Sequence, residues 1–381
     1  MQLTIGKQPL AIELGLLQGV VERKSTIPIL TTALIETSEG MVTITATDFD
    51  VSIRCQLPAE VREPGAVVVH ARNLFEIVRS LPEADITIET VAISPGSDLF
   101  EGEAPVDFVS LVSGTARFKM ICNSKERFPS VPEPMGDPMA LNSELFGASI
   151  SRTIFAVTQE ESRYALAGAL FILQGSAFRL VTTDGHRLAI ASGPLDVSVG
   201  EELRVLIPRK ALNELRKLAS ATSGATVRFS KDENHLFFEF GSRSLTSRML
   251  SGQFPSYEQV IPKNCDKVLS IDTAAIAPAV HRAALMTEAR SHAIALQFGG
   301  GQLKLTAQAQ GQGESVEMIP VDYSFEEESL LRFNSGFLLD FFNTVDSEGI
   351  VFAFKDGKTP AVLRPQDGQY QHEMVIMPMR I

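Results

Sequence analysis

The 381-residue sequence has few cysteines and no long hydrophobic run, and each absence excludes a class of protein. Its three cysteines, Cys55, Cys122 and Cys265, stand far apart, which argues against a disulfide framework or a thiolate metal site. The longest uncharged run, 164–178, is too short and too polar to span a bilayer. The first residues, Met1–Ile5, have the pattern of a strand and not of a signal peptide. We therefore expect a cytoplasmic protein that does not enter a membrane.

Motifs for catalysis are missing as well. The chain has no GxSxG or HExxH sequence, and its six histidines lack metal-ligand spacing. Gly299–Gln302 precedes a strand pattern instead of the helix that a phosphate loop requires. The residues that best suit an enzyme are His186, Asp184 and Thr183. Nucleophilic catalysis would also need a base, an orienting group and an oxyanion site arranged in space, and the sequence offers no motif for them. We expect no catalytic residue, metal or cofactor, while an acidic scaffold that binds proteins but not DNA stays open.

What the chain has is a threefold repeat. A helical pattern follows a β-like stretch three times, at 67–79, 205–215 and 331–342. A Phe-Pro-Ser element also recurs 126 residues apart, at Phe128–Ser130 and Phe254–Ser256. Because proline ends regular structure, this element marks a seam between repeats. The spacing predicts three similar domains, with bounds near 1–130, 131–257 and 258–381.

Strand and helix periodicities alternate in every third of the chain. Helical periodicity predicts six helices, at 7–24, 71–82, 142–159, 208–220, 272–288 and 334–347. Strands outnumber helices, and most connections between them are too short for βαβ crossovers. The sequence therefore predicts an α+β fold whose sheets are largely antiparallel, with helices on one face.

The predicted helices carry less negative charge than the rest of the chain. The whole chain has a formal charge of −12, whereas the six helical segments together are slightly positive. Arg209 and Lys210 lie opposite the apolar arc of segment 208–220, and Arg72 and Arg79 share the polar side of segment 71–82. One charged helix face is ordinarily solvated. Its repetition favours a common role, such as loose contact with phosphates.

Three motifs resemble those of the bacterial DNA sliding clamp family, the beta subunit of DNA polymerase III. They are Thr183–Leu188 (TDGHRL), the Phe254–Tyr257 seam and the terminal Met377–Ile381 (MPMRI). The resemblance covers the whole chain and includes its length and its threefold repeat. It implies the DNA-clamp fold, with three similar α+β domains per chain. It also implies a head-to-tail homodimeric ring, with helices lining the hole and antiparallel sheets on the outside.

The resemblance implies a non-catalytic processivity factor for the replicative DNA polymerase. The ring would encircle double-stranded DNA without reading its sequence, so its affinity for phosphates can stay low. Implied partners are the polymerase catalytic subunit, the clamp loader, other polymerases and repair proteins. They would insert short Gln/Leu/Phe peptides into a cleft between the second and third domains.

The resemblance also implies roles for particular residues. DNA phosphates are expected to contact Lys24, Arg72, Arg79, Arg209 and Lys210. The cleft is expected to consist of Leu166, Thr183, Gly185, His186, Arg187, Leu188, Pro255, Val260, Val375, Met377, Pro378, Met379 and Arg380. The dimer interface is expected to include Phe118, Met120, Leu285 and Met286. The third repeat departs from the basic pattern, because 334–347 contains Asp340 and Asp346 and no Lys or Arg.

Overall fold

The computed structural model describes residues 1–22, 26–93, 106–160, 162–222, 224, 226–367 and 371–380. Its α-helices within these ranges are α1 Lys7–Leu17, α2 Ala71–Ser80, α3 Ser143–Ser151, α4 Arg209–Ser220, α5 Thr273–Ala284 and α6 Ser335–Phe342. All six predicted helices are therefore present. Most end several residues before the predicted position, because the turn that follows can bury the same apolar stripe. After α3, for example, the Thr153 hydroxyl donates to the Ser149 carbonyl at 2.8 Å, and a 3-10 turn buries Ile154 and Ala156.

Strands make up most of the remaining regular structure. In chain order they are β1 Gln2–Gly6, β2 Thr32–Ser38, β3 Met41–Thr47, β4 Val51–Pro58, β5 Glu60–Glu63, β6 Gly65–His70, β7 Asp85–Ile93, β8 Val106–Ser113, β9 Ala116–Asn123, β10 Met139–Asn142, β11 Gly168–Thr183, β12 Arg187–Pro208, β13 Thr226–Lys231, β14 His235–Phe240, β15 Arg243–Arg248, β16 Lys267–Asp272, β17 Ala293–Gly299, β18 Gln302–Ala309, β19 Gly313–Pro320, β20 Ser329–Asn334, β21 Gly349–Phe354, β22 Ala361–Pro365 and β23 His372–Ile376. Within the described ranges every pairing between these strands is antiparallel.

The chain packs into two compact units. The first unit consists of Met1–Glu144 and Asn213–Met249. Its strands follow the order β10-β13-β14-β15-β4-β3-β2-β6-β9-β8-β7-β1-β5. Helices α1 and α2 pack against each other and against strands of this sheet. The alternation along β3, with Val42, Ile44 and Ala46 buried, provides the apolar face on which α1 lies.

The second unit consists of Leu145–Leu212 and Leu250–Ile381. It contains a sheet of order β11-β12-β23-β22-β21-β16 and a four-stranded sheet of order β19-β18-β17-β20. Helices α5 and α6 pack against each other, and phenylalanines such as Phe298, Phe352 and Phe354 fill the core beneath them. The predicted α+β class with antiparallel sheets is confirmed, while the three domain bounds stay a prediction. No helix among the described residues has both the length and the apolar character that a membrane span requires.

The buried faces of α2 and α4 largely follow the predicted periodicity. In α4 the whole apolar arc of Ala211, Leu212, Leu215, Leu218 and Ala219 is buried. In α2 Leu74 and Val78 are buried, whereas Phe75 and Ile77 are only half-buried. Each helix therefore rests on its sheet by one apolar face and leaves its charged residues on the other face.

Candidate functional site

A tight turn, Thr183–Arg187, joins β11 to β12 in the second unit. The Thr183 hydroxyl donates to the Arg187 carbonyl at 2.7 Å, and Asp184 Oδ1 accepts the backbone N–H of His186 at 2.9 Å. Gly185 has φ +88°, and a Cβ there would lie 2.7 Å from Nη1 of Arg163. The backbone conformation favours glycine, whereas the Arg163 side chain could move away from a larger residue. The turn exposes His186 and points the chain back into the sheet at Arg187.

Arg187 connects this turn to α6. It is only 9% exposed, and its guanidinium bonds Asp184 Oδ2 at 3.1 Å, Asp340 Oδ2 at 2.6 Å and the Phe155 carbonyl at 2.6 Å. Its Cζ also lies 4.3 Å from the centre of the Phe337 ring. Since all these acceptors are protein groups, the charge of Arg187 is already compensated. Arg187 therefore holds the wall of the site in place and leaves little charge for a ligand.

A cavity of about 150 Å³ opens beside the turn. It is lined by Leu166, Thr183, Gly185, His186, Arg187, Leu188, Pro255, Ser256, Tyr257, Val260, Val375 and Met377, which we call the groove. Ten of the thirteen predicted cleft residues are among them, which leaves out Pro378, Met379 and Arg380. Ser256 and Tyr257 were not predicted, although they belong to the same Phe-Pro-Ser-Tyr seam as Pro255.

The floor of the groove is apolar. Leu188, Val375 and Tyr257 belong to one buried cluster that also contains Leu170 and Val181. At the rim, the backbone N–H of Met377 donates to the His186 carbonyl at 3.0 Å and its side chain is 37% exposed. A small apolar cavity with a flexible methionine at its edge suits aliphatic or aromatic side chains of a ligand.

The polar side chains of Thr183 and Asp184 bond to other groups of the same turn. Asp184 uses one carboxylate oxygen for the backbone N–H groups of His186 and Arg187 and the other for the Arg187 side chain. The Thr183 hydroxyl donates its proton to a carbonyl, so it is not poised for activation by His186. Among the described residues, no group of three or more His, Cys, Asp and Glu is arranged to hold a metal ion. The enzyme alternative therefore gains no support from the geometry at its best residues.

The predicted phosphate contacts lie on two helices. Arg72 and Arg79 are exposed on α2, where Arg79 pairs with Glu76 at 3.2 Å. Arg209 and Lys210 are half-buried in the first turn of α4, which contains no acidic residue. Cations at a helix N-terminus oppose the helix dipole, typically by about 0.3–1 kcal/mol each. The helix dipole therefore does not stabilise these two cations at their positions.

The remaining charged positions are less uniform than predicted. Lys24 lies outside the described residues. Asp340 of α6, which makes the third repeat acidic, is the partner of Arg187 at 2.6 Å. Its charge is therefore partly neutralised within the second unit, which the sequence pattern alone did not indicate.

Strands β9 and β19 each have an unpaired edge within the described residues. β9 pairs with β8 along Ala116–Ile121, but its other edge meets β6 only at Cys122 and Asn123. β19 pairs only with β18 and forms an edge of its sheet. An exposed strand edge is a template for pairing with another chain.

The side chains on these edges are complementary in charge. β9 exposes Arg117 and Lys119, whereas β19 carries the exposed Glu314 and also Glu317, whose carboxylate is bonded to the guanidinium of Arg282 at 2.7 Å. Of the predicted interface residues, Phe118 is exposed on β9, and Leu285 (70% exposed) and Met286 lie beyond the end of α5. Met120 is buried at 8% exposure, and its place in an interface stays a prediction. Ile121, Val316 and Met318 are exposed as well; strand alternation next to Met120 could have indicated Ile121, whereas no predicted residue pointed to β19.

Comparison with known proteins places the whole chain beside one family. Models of the DNA polymerase III beta subunit match at 1–132 for its N-terminal domain, 140–256 for its central domain and 258–380 for its C-terminal domain. The chain is 33% identical to beta sliding clamps of Pseudomonas putida, over 385 residues, and Caulobacter vibrioides, over 388 residues, with all of each chain covered. Its structure resembles a Pseudomonas aeruginosa sliding clamp bound to griselimycin, with a TM-score of 0.91, 30% identity and full coverage of both chains. A C. crescentus beta sliding clamp gives a TM-score of 0.90 at 32% identity, covering 100% of this chain and 99% of the other.

Proposed function

Because the chain belongs to the beta sliding clamp family of bacterial DNA polymerase III, we propose that two copies join head to tail into a ring around duplex DNA. The ring tethers the replicative polymerase and so confers processivity. In this proposal each chain contributes three similar domains, bounded near residues 130 and 257. Their helices line the hole, and their sheets form the outer wall.

The groove carries the proposal. Ten residues that sequence reasoning assigned to a peptide cleft line one small apolar cavity. We propose that it binds Gln/Leu/Phe segments of the polymerase catalytic subunit, the clamp loader, other polymerases and repair proteins. Leu and Phe side chains would fill the apolar floor, while a flexible rim methionine lets one site accept several partners. Pro378, Met379 and Arg380, which follow the rim, would meet the ends of a longer peptide.

The basic helix faces support loose contact with DNA. Arg72, Arg79, Arg209 and Lys210, together with Lys24, would exchange phosphate contacts without reading bases. A ring held by topology needs few such contacts, since each additional pair raises affinity and its salt dependence. An overall charge of −12 discourages binding of DNA elsewhere on the surface.

The unlike strand edges support the ring closure. We propose that the free edge of β9 pairs with the free edge of β19 of a second copy, which brings the exposed cations Arg117 and Lys119 close to the exposed Glu314. Leu285 and Met286 would be covered in this contact. Leu285→Asp is therefore expected to release monomers in sedimentation equilibrium, because it would bury an unpaired carboxylate. Leu330→Asp, at a partly exposed position on β20, is the matched control and should leave the dimer unchanged.

The protein acts in this proposal by tethering and carries out no catalysis. Its working compartment is the cytoplasm, where the DNA and the polymerase are found. An acidic scaffold that binds proteins without DNA is the competing function, and it makes the opposite prediction about retention on DNA.

Retention on circular DNA tests the ring directly. The protein is loaded on nicked circles by the clamp loader with ATP, and its retention is measured before and after the circles are cut. A topological clamp stays on circles and is lost from linear DNA. Equal retention on both forms would contradict the ring, and no retention on either would favour the scaffold. Loss of retention in Leu285→Asp but not in Leu330→Asp would tie the result to dimer closure.

A further inference from the structure

A second cavity, of about 680 Å³, lies within the first unit. It separates the outward face of β2, β3 and β4 from the segment 125–133, which we call the strap. Its lining is Leu34, Glu36, Thr37, Ser38, Thr43, Thr45, Arg54, Gln56, Lys125, Glu126, Phe128, Pro129, Ser130, Val131 and Glu133. The cavity shares no residue with the groove.

Strand register explains why this cavity is polar. Thr45 lies directly opposite Leu34 on β2 and Arg54 on β4, and Thr43 lies opposite Glu36 and Gln56. Because strand residues alternate between faces, these side chains share the outward face, while the even-numbered residues of β3 enter the core.

The equivalent sheet face in the second unit is covered by aromatic residues of the seam, whose Pro255, Ser256 and Tyr257 also line the groove. There Phe254 and Tyr257 pack with Leu170, Ile172 and Val181 in a buried apolar cluster. In the strap, Val131 stands where the Phe-Pro-Ser-Tyr sequence has Tyr257, and it is only half-buried. A smaller strap residue over a polar sheet face thus leaves open the space that an aromatic ring fills in the other seam.

The charges around the cavity are unevenly compensated. Lys125 Nζ lies 2.6 Å from Glu36 Oε1, and this hydrogen bond raises the pKa of the lysine. Arg54 has a weaker partner, because its Nη1 lies 3.7 Å from a carboxylate oxygen of Glu133, whose side chain is 79% exposed. Within the described part of the chain, neither Arg54 Nε nor the buried Thr45 hydroxyl has a hydrogen-bond partner. Arg54 is therefore a cation held by the sheet whose ion pair among the described residues is the long one with the exposed Glu133, while Glu36 is paired with Lys125 and Glu126 also lines the cavity.

We propose that this cavity is a second binding site, which takes a carboxylate side chain of an acidic peptide segment. A guanidinium binds a carboxylate through two parallel hydrogen bonds, which a lysine cannot do. The incoming carboxylate would displace Glu133 from Arg54, and Thr43 and Gln56 would supply hydrogen bonds to the peptide backbone. The site goes beyond the proposed function, since it recognises acidic side chains instead of apolar ones.

Fluorescence anisotropy with a labelled peptide, Gly-Asp-Glu-Asp-Glu-Gly blocked at both ends, tests this site on the full-length protein at low salt. Arg54→Gln is expected to weaken binding by about tenfold, because it removes the anchoring charge. Arg204→Gln, at an ion-paired strand arginine of the second unit, should leave binding unchanged. Glu133→Gln should tighten binding by about threefold by removing the competing carboxylate, while Asp137→Asn, four residues along the chain, should not.

Three results would overturn the proposal. One is equal binding of the acidic peptide to Arg54→Gln and to the unaltered protein. A second is equal binding of Gly-Asn-Gln-Asn-Gln-Gly, which has no carboxylates. The third is tighter binding of inorganic phosphate than of the peptide with the same dependence on Arg54, which would make the cavity a site for free anions. An unchanged urea unfolding transition of Arg54→Gln shows that this variant is folded.

Discussion

In the turn Thr47–Val51 of the first unit and the turn Thr183–Arg187 of the second, the threonine and aspartate side chains accept the same set of backbone N–H groups. In each, the threonine hydroxyl accepts the N–H two residues on at 3.1 Å. Asp48 accepts the backbone N–H groups of Asp50 and Val51. Asp184 likewise accepts those of His186 and Arg187. The Thr-Asp pair that marks both repeats in the sequence is therefore explained by turn formation alone.

The two turns differ in the side chains around them. Phe49, with φ +76°, is 56% exposed where the second turn has Gly185. Arg248 of the first unit corresponds to Met377 of the second. The backbone N–H of Arg248 donates to the Asp50 carbonyl and that of Met377 to the His186 carbonyl, and each acceptor is the fourth residue of its turn. Ser52 likewise replaces Leu188, one residue beyond the turn. The two units therefore share the backbone of the turn, and the groove of the second unit depends on a few side chains around that turn.

The strands beside the turns differ in the same way. Cys55 and Ala191 occupy equivalent positions, because each lies eight residues beyond the threonine of its turn. Arg243 on β15 lies opposite Cys55, and His372 on β23 lies opposite Ala191. Arg243 bonds the buried carboxylate of Glu13, with Nε to Oε2 at 2.9 Å. His372 is buried, and neither ring nitrogen has a hydrogen-bond partner among the described residues. One unit thus fills this position with an ion pair and the other with an uncharged ring.

Breaking the ion pair should have the largest effect. Arg243→Met leaves Glu13 buried without its partner, so we expect the free energy of unfolding to fall by about 3–5 kcal/mol in urea titrations. The control Arg228→Met removes an exposed partner of Glu239 and should lower it by no more than about 1 kcal/mol. The double variant Glu13→Leu/Arg243→Met should recover part of the loss. Equal losses for Arg243→Met and Arg228→Met would contradict the assigned role.

His372 should make the second unit sensitive to acid. Burial, followed by the charge of Arg152, lowers the pKa of its imidazole from 6.5 to about 4. Between these values the unfolded chain binds a proton that the folded chain does not, so stability is complete above about pH 6.5 and falls as the pH drops toward 4. At about 1.36 kcal/mol per pKa unit, the loss approaches about 3 kcal/mol. His372→Phe should flatten this part of the pH profile of unfolding, while exposed His281→Gln should not; an unchanged profile in His372→Phe would refute the assignment.

Exchanging the rim residues should transfer the difference between the turns. Met377→Arg places in the groove the residue that the first unit has at that position, and a charge in an apolar cavity opposes Leu and Phe side chains. We expect the affinity for a Gln/Leu/Phe peptide to fall at least about tenfold in isothermal titration, which is about 1.4 kcal/mol. The reciprocal Arg248→Met should leave that affinity unchanged. Undiminished binding by Met377→Arg would remove the groove from the proposed function.

Exchanging the turn residues should have the smallest effect. Phe49→Gly relieves a positive φ that strains a residue with a Cβ, so we expect a gain of about 1 kcal/mol in the free energy of unfolding. Gly185→Ala should lose a similar amount, because it introduces that strain and meets Arg163. Thermal unfolding of both variants measures whether each gains or loses stability. A change in the same direction in both would show that the turns are not equivalent.

Much of the fold could be predicted because periodicity is a local property. The period of 3.6 located all six helices, and the short connections indicated antiparallel sheets. The helix ends were less predictable, since turns such as Ile154–Ala156 bury apolar residues as helices do. Motifs placed most of the groove, but they did not indicate that Arg187 is held by Asp340, which lies 153 residues away in the sequence. Such a contact depends on tertiary packing and leaves no local pattern.

The free edges of β9 and β19 have a consequence for assembly. They differ in sequence and charge, so a contact between β9 of one copy and β19 of another is heterologous. In an open pair of copies, one β9 edge and one β19 edge would stay unpaired. Under the proposed pairing, two copies satisfy both of these edges only if the rotation between them closes the pair. A substitution that changed this angle would extend the same contact into an open filament, so the proposed closure would also protect the protein from fibre growth.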